Sequence, residues 1–82
     1  MTLANSDTFE KISAILKAHT AVTVPITPDL LIGADLAIDS VQMFDLVMEI
    51  EDAYDISFPI EEASGIDTVQ SLVEAIERLK NV

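Results

Sequence analysis

Three segments of this chain return an apolar residue every three or four positions, and each is bounded by residues that start or stop helices. Segments with that period bury one stripe each, so the architecture they allow is a helical bundle. The first holds Phe9, Ile12, Ile15 and Leu16, with Asp7 and Glu10 spaced as a capping pair. His19 falls near its end, where the helix dipole favours positive charge. The second is predicted to start at Asp39, with Ser40 in its first turn and Gln42 placed to reach back, and to run to about Asp55. Met43, Val47, Ile50 and Tyr54 share its core face. The last is predicted to start with Asp67, with Gln70 at the reciprocal capping position. Its stripe is Val69, Leu72, Val73, Ile76 and Leu79, and Arg78 and Lys80 suit its C-terminal end.

From Thr20 to Ile38 the chain reads as one long connection broken by Pro25, Pro28 and Gly33, with a helical turn possible at Thr27-Pro28-Asp29. Connections of that length are uncommon unless ordered or functional. Ile26, Leu30, Leu31 and Leu36 supply the apolar contact to order it. Ile56-Ser57-Phe58 alternates like a strand but is too short and isolated to pair, so it reads as an extended linker. Pro59 then opens a short helix that Gly65 closes. The expected fold is all-α, a three- to four-helix bundle with a long ordered loop between the first two helices, and residues 1–82 read as a single domain.

Charge narrows the function. Between Ala18 and Glu77 there are thirteen acids and no Lys or Arg, and the chain carries a net charge of −11. With no base nearby in sequence, these acids point to an external basic partner. The same balance disfavours nucleic acid and anionic membrane surfaces. The absence of cysteine excludes disulfides and thiolate metal sites. No apolar run approaches the ~18 residues of a spanning helix. The opening residues lack a basic and an apolar leader region. The expectation is a cytoplasmic monomer without stable membrane insertion.

Catalysis and metal binding have few parts here. His19 has no nucleophile with a discernible motif nearby. Carboxylates abound, but paired acids need a cleft and shifted pKa values to act. A calcium loop wants glycine at its sixth position. Counting from Asp35 that position is Ser40, and from Asp52 it is Ser57. No metal site and no enzymatic activity are expected. Ser40 has a case of its own, because the free N–H groups and dipole of a helix N-terminus favour a phosphate.

Asp39-Ser40-Val41 followed by the acidic amphipathic stretch through Tyr54 resembles the acyl carrier protein family. The likeness continues through Ile56-Ser57-Phe58-Pro59, Glu61-Glu62-Ala63 and Asp67-Thr68-Val69-Gln70. It implies that Ser40, beside Asp39, carries 4′-phosphopantetheine donated by coenzyme A through a phosphopantetheinyl transferase. The arm's thiol would carry acyl groups as thioesters between acyl-loading and acyl-transfer enzymes with basic patches. By the same resemblance Asp45, Glu49, Glu51 and Asp52 would meet Lys and Arg on those enzymes, with Val41 and Met48 adding apolar contact. Phe44, Val47, Ile50, Phe58, Ile66 and Leu72 would line the place where cargo is sheltered.

The chain departs from the family pattern at four places. Val41 replaces the usual leucine, Gln42 stands where an acid is common, Ala37-Ile38 replaces Gly-Ala, and Phe44 is bulky where smaller aliphatics are usual. The expectation is a stand-alone carrier in fatty-acid or specialised lipid or polyketide biosynthesis. Two alternatives stay open: an aminoacyl or peptidyl carrier on the same fold, and an acidic protein-binding module without a prosthetic group. A small hydrolase using paired carboxylates is the remote third.

Overall fold

The computed structural model describes residues 3–80; Met1 and Thr2, part of the stretch read above for a leader, lie outside them. Four helices follow in order: α1 (Leu3–His19), α2 (Ser40–Tyr54), α3 (Ile60–Ser64) and α4 (Val69–Lys80). Among the described residues the extended pairing is a single isolated bridge between Leu31 and Thr68. The all-α expectation holds, and Ile56-Ser57-Phe58 is a linker.

The helix α1 packs against both α2 and α4. Thr8 meets Glu77 and Lys80 at the end of α4, Lys11 lies over the Tyr54 ring at the end of α2, and His19 reaches Glu49 in the middle of α2. The first helix therefore runs antiparallel to the other two. Ile12 and Leu16 of α1, Leu46 and Ile50 of α2, and Leu72 and Ile76 of α4 are fully buried between them. Met43 and Tyr54 are only half-buried, so the core face of α2 is turned toward Leu46.

Two predicted helix starts are corrected. Asp7 does not cap α1, which already begins at Leu3 and contains both Asp7 and Glu10. The cap of α4 is Thr68, one residue later than expected. Its hydroxyl accepts the Ser71 N–H at 3.0 Å, and the Ser71 hydroxyl accepts the Thr68 N–H at 3.0 Å. Ser71 sits three positions beyond Thr68, so this pair satisfies the orphan donors that Asp67 and Gln70 were expected to satisfy.

The long loop is ordered by backbone as well as by apolar contact. The N–H groups of Val69 and Gln70, which have no partner inside α4, donate to the carbonyls of Leu30 and Pro28 at 3.0 and 2.8 Å. The Ile32 N–H donates in return to the Asp67 carbonyl at 2.9 Å. Ile32, Leu36 and Ile38 are buried, and Ile26 and Leu30 pack at the core's edge. Leu31, expected to pack, is 40% exposed because its neighbour Ile32 takes the inward position. The chain that enters α2 at Ser40 is therefore held on a fixed platform.

Candidate functional site

Ser40 is the first residue of α2 and is exposed. Asp39 before it is the N-cap. Its carboxylate accepts the Gln42 N–H at 2.8 Å, while the Gln42 side-chain oxygen accepts the Asp39 N–H at 3.1 Å. Gln42, a departure from the acid common in the resembled family, closes the capping box with an uncharged side chain and places no second negative charge there. The box leaves the N–H groups of Ser40 and Val41 at the open end of the helix. Among the described residues no hydrogen bond engages the Ser40 hydroxyl. A phosphodiester on that hydroxyl fits, because free donors and the positive end of the dipole face it. The Asp39 carboxylate is engaged by the cap.

A cavity of ≈ 250 Å³ opens beside Ser40 between α2, the linker and α3. Phe44, Val47 and Phe58, named from the sequence, line it. Met43, Ile60, Ala63 and Ser64 line it too and were not named as cargo residues. Met43 lies one turn from Val47 and was read as core, and Ile60 is an apolar residue next to Glu61 and Glu62. Those were the available signals. Ile50 and Leu72 are fully buried in the core, Ile66 is half-buried, and all three lie outside the cavity lining. The α3 wall is tied at two points. The Glu51 carboxylate accepts the Phe58 N–H at 2.7 Å, and Arg78 donates to Glu62 at 2.5 Å.

The outward face of α2 combines apolar and acidic groups. Val41, Phe44 and Met48 are 61–70% exposed, and Ile60 of α3 is 72% exposed. Asp45 and Asp52 are exposed and make no hydrogen bond or ion pair among the described residues. Glu49 and Glu51 are not equally free, since His19 lies 2.7 Å from Glu49 and Glu51 holds the linker. Three acids of the base-free stretch thus have charged or chargeable partners after all. Glu49 pairs with His19, Glu62 with Arg78 and Glu77 with Lys80, each brought together by helix packing or by the end of α4. Among the described residues no group of three or more His, Cys, Asp or Glu converges as a metal site.

The family model for the phosphopantetheine attachment site matches residues 10–76. An acyl carrier protein from Helicobacter hepaticus is 36% identical over 75 residues, which span 90% of this chain and 99% of that protein. A probable acyl carrier protein from Caulobacter vibrioides is 39% identical over 49 residues, spanning 60% of this chain and 57% of the other. Among solved structures, one from Mycobacterium tuberculosis described as a candidate acyl carrier protein aligns with a TM-score of 0.81 at 28% identity. That alignment covers 87% of this chain and 96% of the other.

Proposed function

Because the chain belongs to the acyl carrier protein family, with 4′-phosphopantetheine as its prosthetic group, we propose that Ser40 is the attachment residue and that the protein carries acyl groups between enzymes. The observation that supports this most is the free, exposed Ser40 hydroxyl at the capped start of α2, next to an apolar cavity. When attached, the arm supplies a terminal thiol on which acyl groups ride as thioesters. The protein's own residues do the rest. The Asp39–Gln42 box holds Ser40 in place, the backbone donors of Ser40 and Val41 stabilise the phosphate, and the cavity offers the cargo shelter. A tether raises the local concentration of cargo at each partner site without new contacts.

The face bearing Val41, Asp45, Met48 and Asp52 is the proposed docking surface for phosphopantetheinyl transferase and acyl-handling enzymes. Acids there steer basic patches onto the helix, and contacts of that kind form and release quickly. The carrier performs no catalysis of its own in this reading and works as a cytoplasmic monomer in fatty-acid or specialised lipid or polyketide synthesis. No helix among the described residues is long and apolar enough to cross a membrane.

Intact-mass measurement after incubation with coenzyme A and a promiscuous phosphopantetheinyl transferase tests the assignment. We expect one added arm, mapped to Ser40, and none on a Ser40→Ala chain that keeps its helical spectrum. An arm on the Ala variant would put the attachment elsewhere. No arm on either chain, with a control carrier modified alongside, would overturn the reading in favour of an acidic binding module.

A further inference from the structure

Asp45, Glu49 and Asp52 are spaced by four and three residues, so they fall in one stripe on the outward face of α2. They are not alike. Asp45 and Asp52 make no hydrogen bond or ion pair among the described residues. The Glu49 Oε1 lies 2.7 Å from the Nε2 of His19, which reaches it from the last turn of α1. Half of the Glu49 side chain stays in solvent, so a partner can touch it, while the His19 side chain is only 20% exposed. The other charged groups of the neighbouring elements are engaged elsewhere. Lys17, on the same helix as His19, lines the groove between α1 and Pro25-Ile26. In the loop that follows, the Asp29 carboxylate accepts the Thr27 hydroxyl and the Asp35 carboxylate accepts the Leu31 N–H, each within its own turn. Toward the start of α4, Glu74 accepts the Gln70 amide and Asp67 the Ser71 hydroxyl. Glu49 is therefore the charged group that meets the imidazole.

Histidine is the side chain that ordinarily changes charge between about pH 5 and 8, and this chain has one histidine and no cysteine. A protonated imidazole makes the pair neutral. A neutral one can still donate its Nε2–H, but it leaves the carboxylate its full charge. We propose that His19 is a pH-dependent mask on Glu49, so that a basic partner meets two open acids on this stripe below about pH 6 and three above about pH 7. The inference rests on the docking surface proposed above and sets how many of its charges are open. Masking one of them weakens the steering field and slows association, and leaves the chemistry that follows untouched.

The experiment measures kcat/KM for arm transfer from coenzyme A by a promiscuous phosphopantetheinyl transferase, at low salt, from about pH 5.5 to about pH 8. Each variant's value is divided by the wild-type value at the same pH, which cancels the enzyme's own titration. Asp45→Lys is the control for docking and slows transfer throughout. His19→Gln keeps a donor but takes no charge, so it is expected to be about threefold faster than wild type at the acid end and equal to it at the alkaline end. His19→Lys masks Glu49 at every pH, so it is expected to match wild type at the acid end and to be about threefold slower at the alkaline end. The two variants depart at opposite ends of the range and in opposite directions, which a loss of stability cannot imitate. Both differences should lie in KM and should vanish when Glu49→Gln is added. Ratios that stay flat with pH, or that survive Glu49→Gln, would overturn the inference alone. An Asp45→Lys chain modified as fast as wild type would overturn the docking surface, and failure of any arm to attach would overturn the carrier reading; either takes this inference with it.

Discussion

Ala37 lies at φ 56°, in the left-handed region where a side chain is strained and glycine is not. The resembled family often has glycine at this place, two residues before the Asp-Ser pair. The departure is therefore a backbone cost accepted at the turn that presents Ser40, and the buried Leu36 and Ile38 on either side hold it there. Thr8 is the other informative single residue. It is buried, its hydroxyl donates to Glu77, and Lys80 donates to it at 3.2 Å. The Thr8 hydrogen bond first, and Lys80 second, hold the Glu77 carboxyl below its ordinary value against the opposing effect of burial. A lowered carboxyl stabilises the fold above its unfolded pKa, and that contribution disappears as pH falls through the lower, folded value. We predict that Thr8→Val lowers stability by about 1.5–3 kcal/mol near pH 7, the range for hydrogen bonds to charged groups. The deficit should shrink as pH falls below the ordinary Glu range. Urea titrations of both chains from pH 7 to pH 3 measure it; a deficit unchanged with pH would remove Glu77 from the account.

At the scale of elements, α3 is the one to watch. Its five residues include none that is buried, so its place is set by Phe58, which anchors the linker before it, and by polar ties from α2 and α4. Glu51 was named from the sequence as a partner-binding acid, but in the fold it caps the Phe58 N–H. These two roles separate experimentally. Glu51→Ala should cost about 1–2 kcal/mol and speed amide exchange at Phe58, since a half-buried donor loses its acceptor. Asp45→Lys, on an exposed and unpaired acid, should leave stability within about 0.5 kcal/mol and slow association with a partner enzyme. If Glu51→Ala changed association and left exchange untouched, its role would return to the docking face. The start and end of α2 were legible because Asp39, Gln42 and Asp55 act locally. The starts of α1 and α4 were not. Several Asp, Thr and Ser residues compete for the cap at each, and at α4 the loop carbonyls of Pro28 and Leu30 already take the N–H groups of Gln70 and Val69.

For the whole molecule, charge acts in two directions. The net charge of −11 pushes the bundle apart, while the exposed acids of α2 are what a basic partner would recognise. Three of the four Lys and Arg residues lie toward one end, where Lys11 and Lys80 are 5.0 and 5.4 Å from the centre of the Tyr54 ring and Arg78 holds Glu62, while Lys17 sits in the last turn of α1. Salt screens both effects over a Debye length of ~10 Å at ordinary ionic strength. We predict that added salt raises the Tm of the free protein by about 5 °C, corresponding to ~1 kcal/mol, while weakening its association with a partner enzyme. Calorimetry and stopped-flow binding across the same salt series check this pair of signs. A Tm that fell with salt would mean that the internal pairs outweigh the self-repulsion.

The sequence by itself determined what depends on neighbours along the chain. Helical period, proline and glycine breaks, and the Asp39–Gln42 box act over three or four residues, so they set the helices, the long loop and the position of Ser40. The resemblance to acyl carriers rested on residues spread along that same frame. Only the tertiary structure decided what depends on distant residues. It gave Glu49, Glu62 and Glu77 their partners, turned Leu31 outward, and separated the cavity-lining Phe44, Val47 and Phe58 from Ile50 and Leu72 in the core. The physical reason is that helical spacing specifies which residues share a stripe. Whether a stripe position meets core, cavity or solvent depends on which other element packs over it.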